Sequence, residues 1–298
     1  MIIYYGLNEN IIDITSICFN KLFNNNIITI PAMDHNRSFY FSDPLFGVLK
    51  KIYIIINNIV SSYEYNCVIK INMLDNTITT INTTYNKIDE KLKLIQSKLN
   101  INYGSFDEEY PEQKMSVKYL TGSEKVLEIG GNIGRNSLII ASILENKNNL
   151  VTLETDVKIY NQLIENRDLN NLTFNIENSA LSNRKLIQRG WDTIPSDILI
   201  DGYEYVNTIS LNDLNKKYNI EFDTLVLDCE GAFYYILMDI PELLNNIKLI
   251  IMENDYNDIS HKEYINNILI ENKFYREYSK RGGWGPCFAN FFEVWKKL

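Results

Sequence analysis

Histidine and cysteine are scarce in this chain. The histidines are His35 and His261, and Cys18, Cys67, Cys229 and Cys287 stand far apart with no C-x-x-C pair. That spacing argues against a paired-cysteine zinc cluster and offers no disulfide framework, so a reducing compartment is expected. Positive charge is also in deficit: 29 Lys and Arg against 38 Asp and Glu leave a formal charge of -9. A nucleic-acid face works by releasing counterions from phosphates and needs basic surface, so nucleic acid is disfavoured as a partner and a neutral acceptor such as a sugar fits better. Long apolar runs are missing. Ile52 to Val60 is interrupted by Asn57 and Asn58 and is too short to cross a bilayer. The opening MIIYYGLNEN lacks a basic segment followed by an apolar core and a small-residue cleavage site. A soluble, cytoplasmic protein that does not engage membranes is expected.

What is present is ordinary for a globular chain: 45% hydrophobic and 22% charged residues over 298 positions, room for one large domain or two modest ones. Ile, Asn, Lys and Tyr are over-used, with 20 Tyr. Their codons are AT-rich, which points to a source such as a large DNA virus, a protist or a low-GC bacterium; a viral protein would work in the host cytoplasm.

Residues 1–100 read as a β-rich domain, suited to acceptor binding or oligomerisation. IIYY, NIITIPA, SFYF, KKIYIIIN, CVIKINML and TITTINTTY are short β-branched or aromatic runs separated by turn residues. Ile11 to Phe23 fits strand or helix. Asn86 to Leu99 has helical spacing, with Ile88, Leu92, Ile95 and Leu99 on one face, as a connector or an oligomer contact. Residues 101–298 alternate strands and helices, the pattern of a mostly parallel sheet covered on both faces. Strands are expected at Lys125–Ile129, Leu150–Glu154, Thr173–Glu177, Thr224–Asp228, Leu249–Glu253, Phe274–Tyr278 and Phe288–Trp295.

Three segments carry chemistry. In V-L-E-I-G-G-N-I-G a buried strand ends near Glu128, and Gly130, Gly131 and Gly134 let the backbone turn tightly and approach a ligand. A side chain at Gly130 is therefore expected to meet the ligand and spare the fold. The order G-G-x-x-G differs from the G-x-G-x-x-G that cradles a pyrophosphate, and Glu128 suits the amino group of a methionine moiety. Some twenty residues on, Glu154 ends the next strand, where a carboxylate accepts ribose hydroxyls, with Asp156 as its competitor. In V-L-D-C-E-G, Asp228 and Glu230 sit at a strand end facing the cleft, where they can act as base, as substrate acceptors or, with Asp255, as a metal site. Asp228 can instead be a helix N-cap.

Together these segments resemble the FkbM family of methyltransferases. E-I-G-G-N-I-G, including Asn132, resembles the family's D-x-G-A-N-x-G loop, with Glu128 for Asp and Gly131 for Ala. T-L-E-T-D resembles its acidic second-strand end, with Leu153 and Thr155 flanking. I-S-L-N-D-L and L-V-L-D-C-E-G-A resemble T-L-D-D-L and K-I-D-V-E-G-A-E, with Val226 for Lys and Phe233 for the second Glu. I-I-M-E-N-D-Y and L-I-E-N-K-F-Y resemble its fifth-strand glutamate and a later L-x-x-x-G-F/Y, with Lys273 for Gly. The likeness covers about 180 residues. It implies a Rossmann-like class I sheet of order 3-2-1-4-5-7-6, S-adenosylmethionine as cofactor, and O-methylation of a sugar or glycan. It also places Ser179 and Ala180 at the adenine edge. RNA or protein methylation is the rival reading, as is a non-catalytic glycan-binding or assembly protein with a vestigial domain.

His261 has the residue chemistry of a base near neutral pH, or of a surface or capping histidine. Trp284, in R-G-G-W-G-P, can stack on a sugar or pack at a core edge. Asp34, His35, Arg37 and Asp43, with Phe39 and Tyr40, can bind a saccharide or form a solvated turn.

Overall fold

In the computed structural model residues 1–45, 49–82 and 87–298 are described; the side chains of His35, Asn82 and Lys87 lie outside that description. The expected TITTINTTY strand and the helix starting at Asn86 fall partly on undescribed positions. The chain divides into two compact units, Met1–Glu90 and Lys91–Leu298.

The first unit holds two antiparallel four-stranded sheets. One is β2-β1-β5-β6, from β1 (Ile2–Leu7), β2 (Asn10–Asp13), β5 (Lys51–Ile56) and β6 (Ile59–Tyr63); the other is β3-β4-β7-β8, from β3 (Phe23–Asn24), β4 (Ile27–Ile30), β7 (Cys67–Asn72) and β8 (Ile78–Asn82). Alternate residues face inward: Ile3 and Tyr5, Ile28 and Ile30, Ile52 and Ile54, and Ile69 and Ile71 form one buried cluster. Ile11 to Phe23 resolves into β2 and α1 (Thr15–Lys21).

S-F-Y-F is not a strand but the end of α2 (Asp34–Phe41). Arg37 and Phe41, four residues apart on one helix face, are both buried, while Phe39 is 82% exposed. Of the residues read as a saccharide site or a solvated turn, Arg37 is buried, Asp34 is half-buried and Asp43 is exposed. Arg37 donates to the carbonyls of Pro31 and Cys67, each at 2.9 Å. The Lys50 ammonium bridges Asp34 (2.8 Å) and Asp43 (2.7 Å). Buried cations survive only when paired in this way, so these residues hold the unit together.

The second unit carries a seven-stranded sheet. Its strands are β9 (Val126–Ile129), β10 (Leu150–Leu153), β11 (Asn175–Glu177), β17 (Thr224–Leu227), β18 (Leu249–Glu253), β19 (Phe274–Lys280) and β20 (Phe292–Lys297), in the order β11-β10-β9-β17-β18-β20-β19. That is 3-2-1-4-5-7-6, with β20 antiparallel to both neighbours. The central strands are apolar at nearly every position because both faces are covered. Leu127, Leu225 and Ile250 enter one core cluster, and Val126, Val226 and Ile251 the other. The last strand starts at Phe292 rather than Phe288, since residues Phe288–Asn290 form a 3-10 turn.

Helices α4 (Tyr110–Tyr119), α5 (Arg135–Ile143), α6 (Val157–Leu169), α7 (Leu211–Tyr218), α8 (Phe233–Asp239) and α9 (Ile259–Glu271) complete this unit. In α3 (Lys87–Gln96), Leu92 is fully buried, and beyond the helix Leu99 packs on the second core cluster. Between the third and fourth core strands lie β12 (Ala180–Leu181), β13 (Leu186–Arg189), β14 (Asp192–Pro195), β15 (Glu204–Val206) and β16 (Thr208–Ile209). Of these, β14-β13-β15 form a separate antiparallel sheet that the sequence reading did not foresee. No helix among the described residues is long and apolar enough to cross a membrane.

Candidate active site

The carboxyl ends of β9, β10 and β17 open onto a pocket, the usual ligand position in an open α/β sheet. Gly130, Asn132, Glu154, Ser179, Ala180, Asp228 and Glu230, expected from widely separated segments, all line it. Glu154 is buried, and burial raises its carboxyl above the usual range. It accepts the backbone N–H of Asn132 (2.9 Å) through one oxygen and that of Asp156 (2.8 Å) through the other. Two amides thus fix its orientation while each oxygen keeps accepting capacity. Asp156 is instead the N-cap of α6, accepting from Lys158 and Ile159. The two acids therefore have different partners in the turn.

Ser179 is 3% exposed and its Oγ has no hydrogen-bond partner among the described residues. A buried hydroxyl left unpaired is costly, so this atom marks a place where a polar ligand group fits. The Ala180 N–H is already taken by the Asn207 carbonyl at 2.8 Å. At this edge the free polar side chain belongs to Ser179.

The glycines act differently from expectation. A Cβ on Gly130 would lie 1.6 Å from the Asp228 carbonyl oxygen, one on Gly131 2.1 Å from Thr152 and one on Gly134 2.4 Å from Leu163. They let the turn pack against β17, β10 and α6. Their absent side chains make room for protein rather than for ligand.

Asp228 does not cap a helix, since α8 begins beyond it with Ala232 as N-cap. Its carboxyl is raised well above the usual range by burial, then by Glu109, Asp255, Glu112 and Glu230. Glu230 is exposed and sits in the left-handed region at φ 50°. Asp255 accepts the Gly231 N–H at 2.9 Å, and burial, then Glu230, push its carboxyl up to about 7. Among the described residues no group of three or more His, Cys, Asp or Glu is arranged to hold a metal ion.

His261 lies outside the pocket wall. Its ring stacks on Tyr234 at 3.8 Å between centroids and 6° between planes, and Tyr235, edge-on to it, is the residue that reaches the pocket. Trp284 is 46% exposed and is not part of the wall either.

Sequence reasoning missed the far wall, where the inserted sheet contributes Leu186, Gln188, Trp191, Thr193 and Pro195. The signal was a tight hairpin at Gly190-Trp191, with Gly190 at φ 58° and Arg189 paired to Asp192. A second, smaller chamber adjoins through Gly130 and Asp228, walled by Glu109, Glu112, Glu128, Asp228 and Glu253. Glu128 is buried, and its Oε2 accepts from the hydroxyls of Ser137 and Thr152. Burial pushes its carboxyl up to about 7, against those two hydrogen bonds.

Known structures overlap much of this chain. An O-methyltransferase from Bacillus cereus, solved in complex with SAH, overlaps 70% of this chain and 90% of its own, at 16% identity and a TM-score of 0.41. A ribosomal protein L11 methylase from Lactobacillus delbrueckii subsp. bulgaricus overlaps 67% and 84%, at 12% identity and 0.42. A methyltransferase from Pyrococcus furiosus overlaps 72% and 99%, at 13% identity and 0.40. No family model matches the chain, and no curated protein matches its sequence. The functional reading is carried by the strand order and the residues of the site, not by these overlaps.

Proposed function

We propose that the protein is an S-adenosylmethionine-dependent O-methyltransferase of FkbM type, acting on a hydroxyl of a sugar or glycan. The observation that carries this reading is one pocket at the strand ends that gathers the glycine turn, Glu154, the unpaired Ser179 Oγ and Asp228. The donor set fits the cofactor: a fixed carboxylate for the ribose hydroxyls, a buried hydroxyl for the adenine edge, and carboxyls near the turn for the ammonium. When bound, the cofactor supplies an electrophilic methyl group on a sulfonium. Glu154 orients the ribose. Asp228, whose carboxyl is raised well above the usual range by burial and neighbouring acids, would in its ionised form accept the proton of the acceptor hydroxyl as the oxygen–methyl bond forms and the methyl–sulfur bond breaks. The remaining acceleration comes from holding oxygen and methyl in line. His261, stacked on Tyr234, can act only by steadying α8 and Tyr235.

A neutral acceptor is favoured because the wall of the main pocket holds no Lys or Arg to meet phosphate, while Trp191 and Tyr235 offer aromatic faces. The β-rich first unit is proposed to govern the acceptor or the assembly. Calorimetry with S-adenosylmethionine tests the reading together with a tritium methyl-transfer screen over nucleotide sugars, oligosaccharides and RNA. Binding with transfer to a sugar is expected. Glu154→Ala should lose cofactor affinity, whereas Asp228→Ala should lose transfer first. Absence of cofactor binding would sink the reading, and transfer to RNA alone would sink its acceptor.

A further inference from the structure

A wide groove lies beside the main pocket, between α6 and the inserted sheet, and nothing in the proposed methyl transfer uses it. Its free volume is about 800 Å³, within the range of a pocket for a small organic ligand. Asn161 and Gln162 line it from α6, and Glu204, Tyr205 and Val206 from β15. Thr155 and Gln188 line both the groove and the main pocket, so the two spaces adjoin. The sheet register explains why. Gln188 stands opposite Thr193 of β14 on one side and Glu204 of β15 on the other, and Leu186 stands opposite Pro195 and Val206. Directly opposed residues share a face of an antiparallel sheet. One face therefore floors the main pocket at Thr193 and Pro195 and the groove at Glu204 and Val206. From β14 to β15 that floor extends about 10 Å.

The groove is polar and carries no excess of positive charge. Its cations are Lys158 and Arg189, against Asp156, Glu165 and Glu204. The N-terminus of α6 does not offer its amides to an anion, because the Asp156 carboxylate already accepts the N–H groups of Lys158 at 2.7 Å and Ile159 at 3.0 Å. A phosphate chain therefore fits poorly. Hydroxyls fit better, since an amide side chain offers donors and an acceptor in one plane. Asn161 and Gln162 make no side-chain hydrogen bond among the described residues. Gln188 donates to the Gly190 carbonyl at 3.0 Å and keeps its oxygen as an acceptor. Two tyrosines in the wall are held by their hydroxyls: Tyr103 donates to Glu165 at 2.8 Å, and Tyr205 to the Asp197 carbonyl at 3.1 Å. An aromatic ring fixed before binding loses little freedom and offers an apolar surface to the C–H side of a sugar ring.

Resting on the sugar-acceptor reading above, we propose that the groove is a second acceptor subsite and that the substrate is a neutral oligosaccharide rather than a single sugar. The ring to be methylated enters the main pocket. The rings beside it cross the face of the inserted sheet at Gln188 and lie between α6 and β15. The groove adds binding away from the reacting atoms, so it acts on acceptor affinity and chain length and not on the chemical step.

The test is the tritium methyl-transfer assay on the full chain, with saturating S-adenosylmethionine and ladders of glucose, galactose, N-acetylglucosamine and rhamnose oligomers from one ring to about six. In a ladder that accepts methyl, KM should fall about tenfold between one ring and three, while kcat stays within about twofold. Tyr205→Ala, and separately Asn161→Ala combined with Gln162→Ala, should each raise the KM of the three-ring acceptor about fivefold, toward that of the single ring. Neither should change single-ring transfer or the affinity for S-adenosylmethionine measured by calorimetry, and circular dichroism verifies that each variant is folded. A KM independent of chain length would overturn the inference and leave the sugar-acceptor reading standing. So would a length dependence that both folded variants keep. Cofactor binding with no transfer to any ladder would overturn the acceptor reading and the inference together.

Discussion

Replacing Gly130 by Ala should damage the fold before it affects any ligand. Gly130 sits at φ 88°, and the added Cβ would fall 1.6 Å from the Asp228 carbonyl oxygen and 2.7 Å from its carbon. Neither side can yield freely. The Gly130 N–H is bonded to Leu153 at 3.1 Å, and the Asp228 N–H to Ile129 at 3.1 Å. Reaching normal contact needs about 2 Å of separation between the turn and the end of β17, which breaks the second of these bonds. The left-handed backbone costs about 1–2 kcal/mol and the buried bond about 1–3 kcal/mol, so a loss of about 3–4 kcal/mol is expected. For a unit of this size that lowers the melting temperature by roughly 10 °C. Gly190→Ala is the matched control: φ is 58° there too, but nothing lies within 4 Å of the new Cβ. Its cost should be the backbone part alone, about 1 kcal/mol. Thermal unfolding followed by circular dichroism measures both. If Gly130→Ala melts within a degree or two of Gly190→Ala, the packing account of the turn is wrong and the ligand-facing account returns.

Glu293→Gln should cost about 3–5 kcal/mol in urea unfolding, because it leaves a buried Lys262 without its carboxylate; a loss below 1 kcal/mol would refute that. Glu293 is fully buried and also binds Arg276 (2.9 Å) and Trp295 (2.9 Å). Burial pushes the Glu128 and Asp255 carboxyls up to about 7, so between about pH 4.5 and 7 the folded chain keeps protons that the unfolded chain has released. Ligand-free stability should therefore fall as pH rises through that window, and a melting temperature that climbs from about pH 5 to pH 7 would contradict the assignment. A protein truncated to begin at Lys91 should still bind S-adenosylmethionine and lose acceptor methylation or its assembly state; full activity with unchanged sedimentation would show that the first unit serves neither.

The seven-stranded sheet was legible because two-sided burial leaves a distinctive trace. Val126 to Ile129, Thr224 to Leu227 and Leu249 to Met252 are buried throughout, and few other structures call for so many short apolar runs between helical segments. Glu154 and Asp228 were legible for a related reason: a strand end fixes where its last side chain points. The α2 segment was misread because S-F-Y-F looks like a strand until Arg37 is seen to bury itself beside Phe41, a pairing that depends on Pro31 and Cys67 rather than on local pattern. The main pocket's far wall was missed because Leu186 to Pro195 has the pattern of an ordinary surface hairpin. Only packing brings Trp191 to the cleft.

The acidic chamber was the least legible feature, and the reason bears on function. Glu109 and Glu253 are far apart in sequence, and neither lies in a motif with the other. Their meeting follows from α4 packing on β18. Apolar residues could fill such a space at less cost, since each buried carboxyl must be protonated or paired. Glu112 has no cation beside it in the chamber wall, and burial with the Glu112 hydrogen bond pushes the Glu253 carboxyl up to about 11. Sequences place unsatisfied polar groups in a core where binding needs them. The chamber opens beside Asp228, and after burial itself Glu109, Asp255, Glu112 and Glu230 help to raise the Asp228 carboxyl.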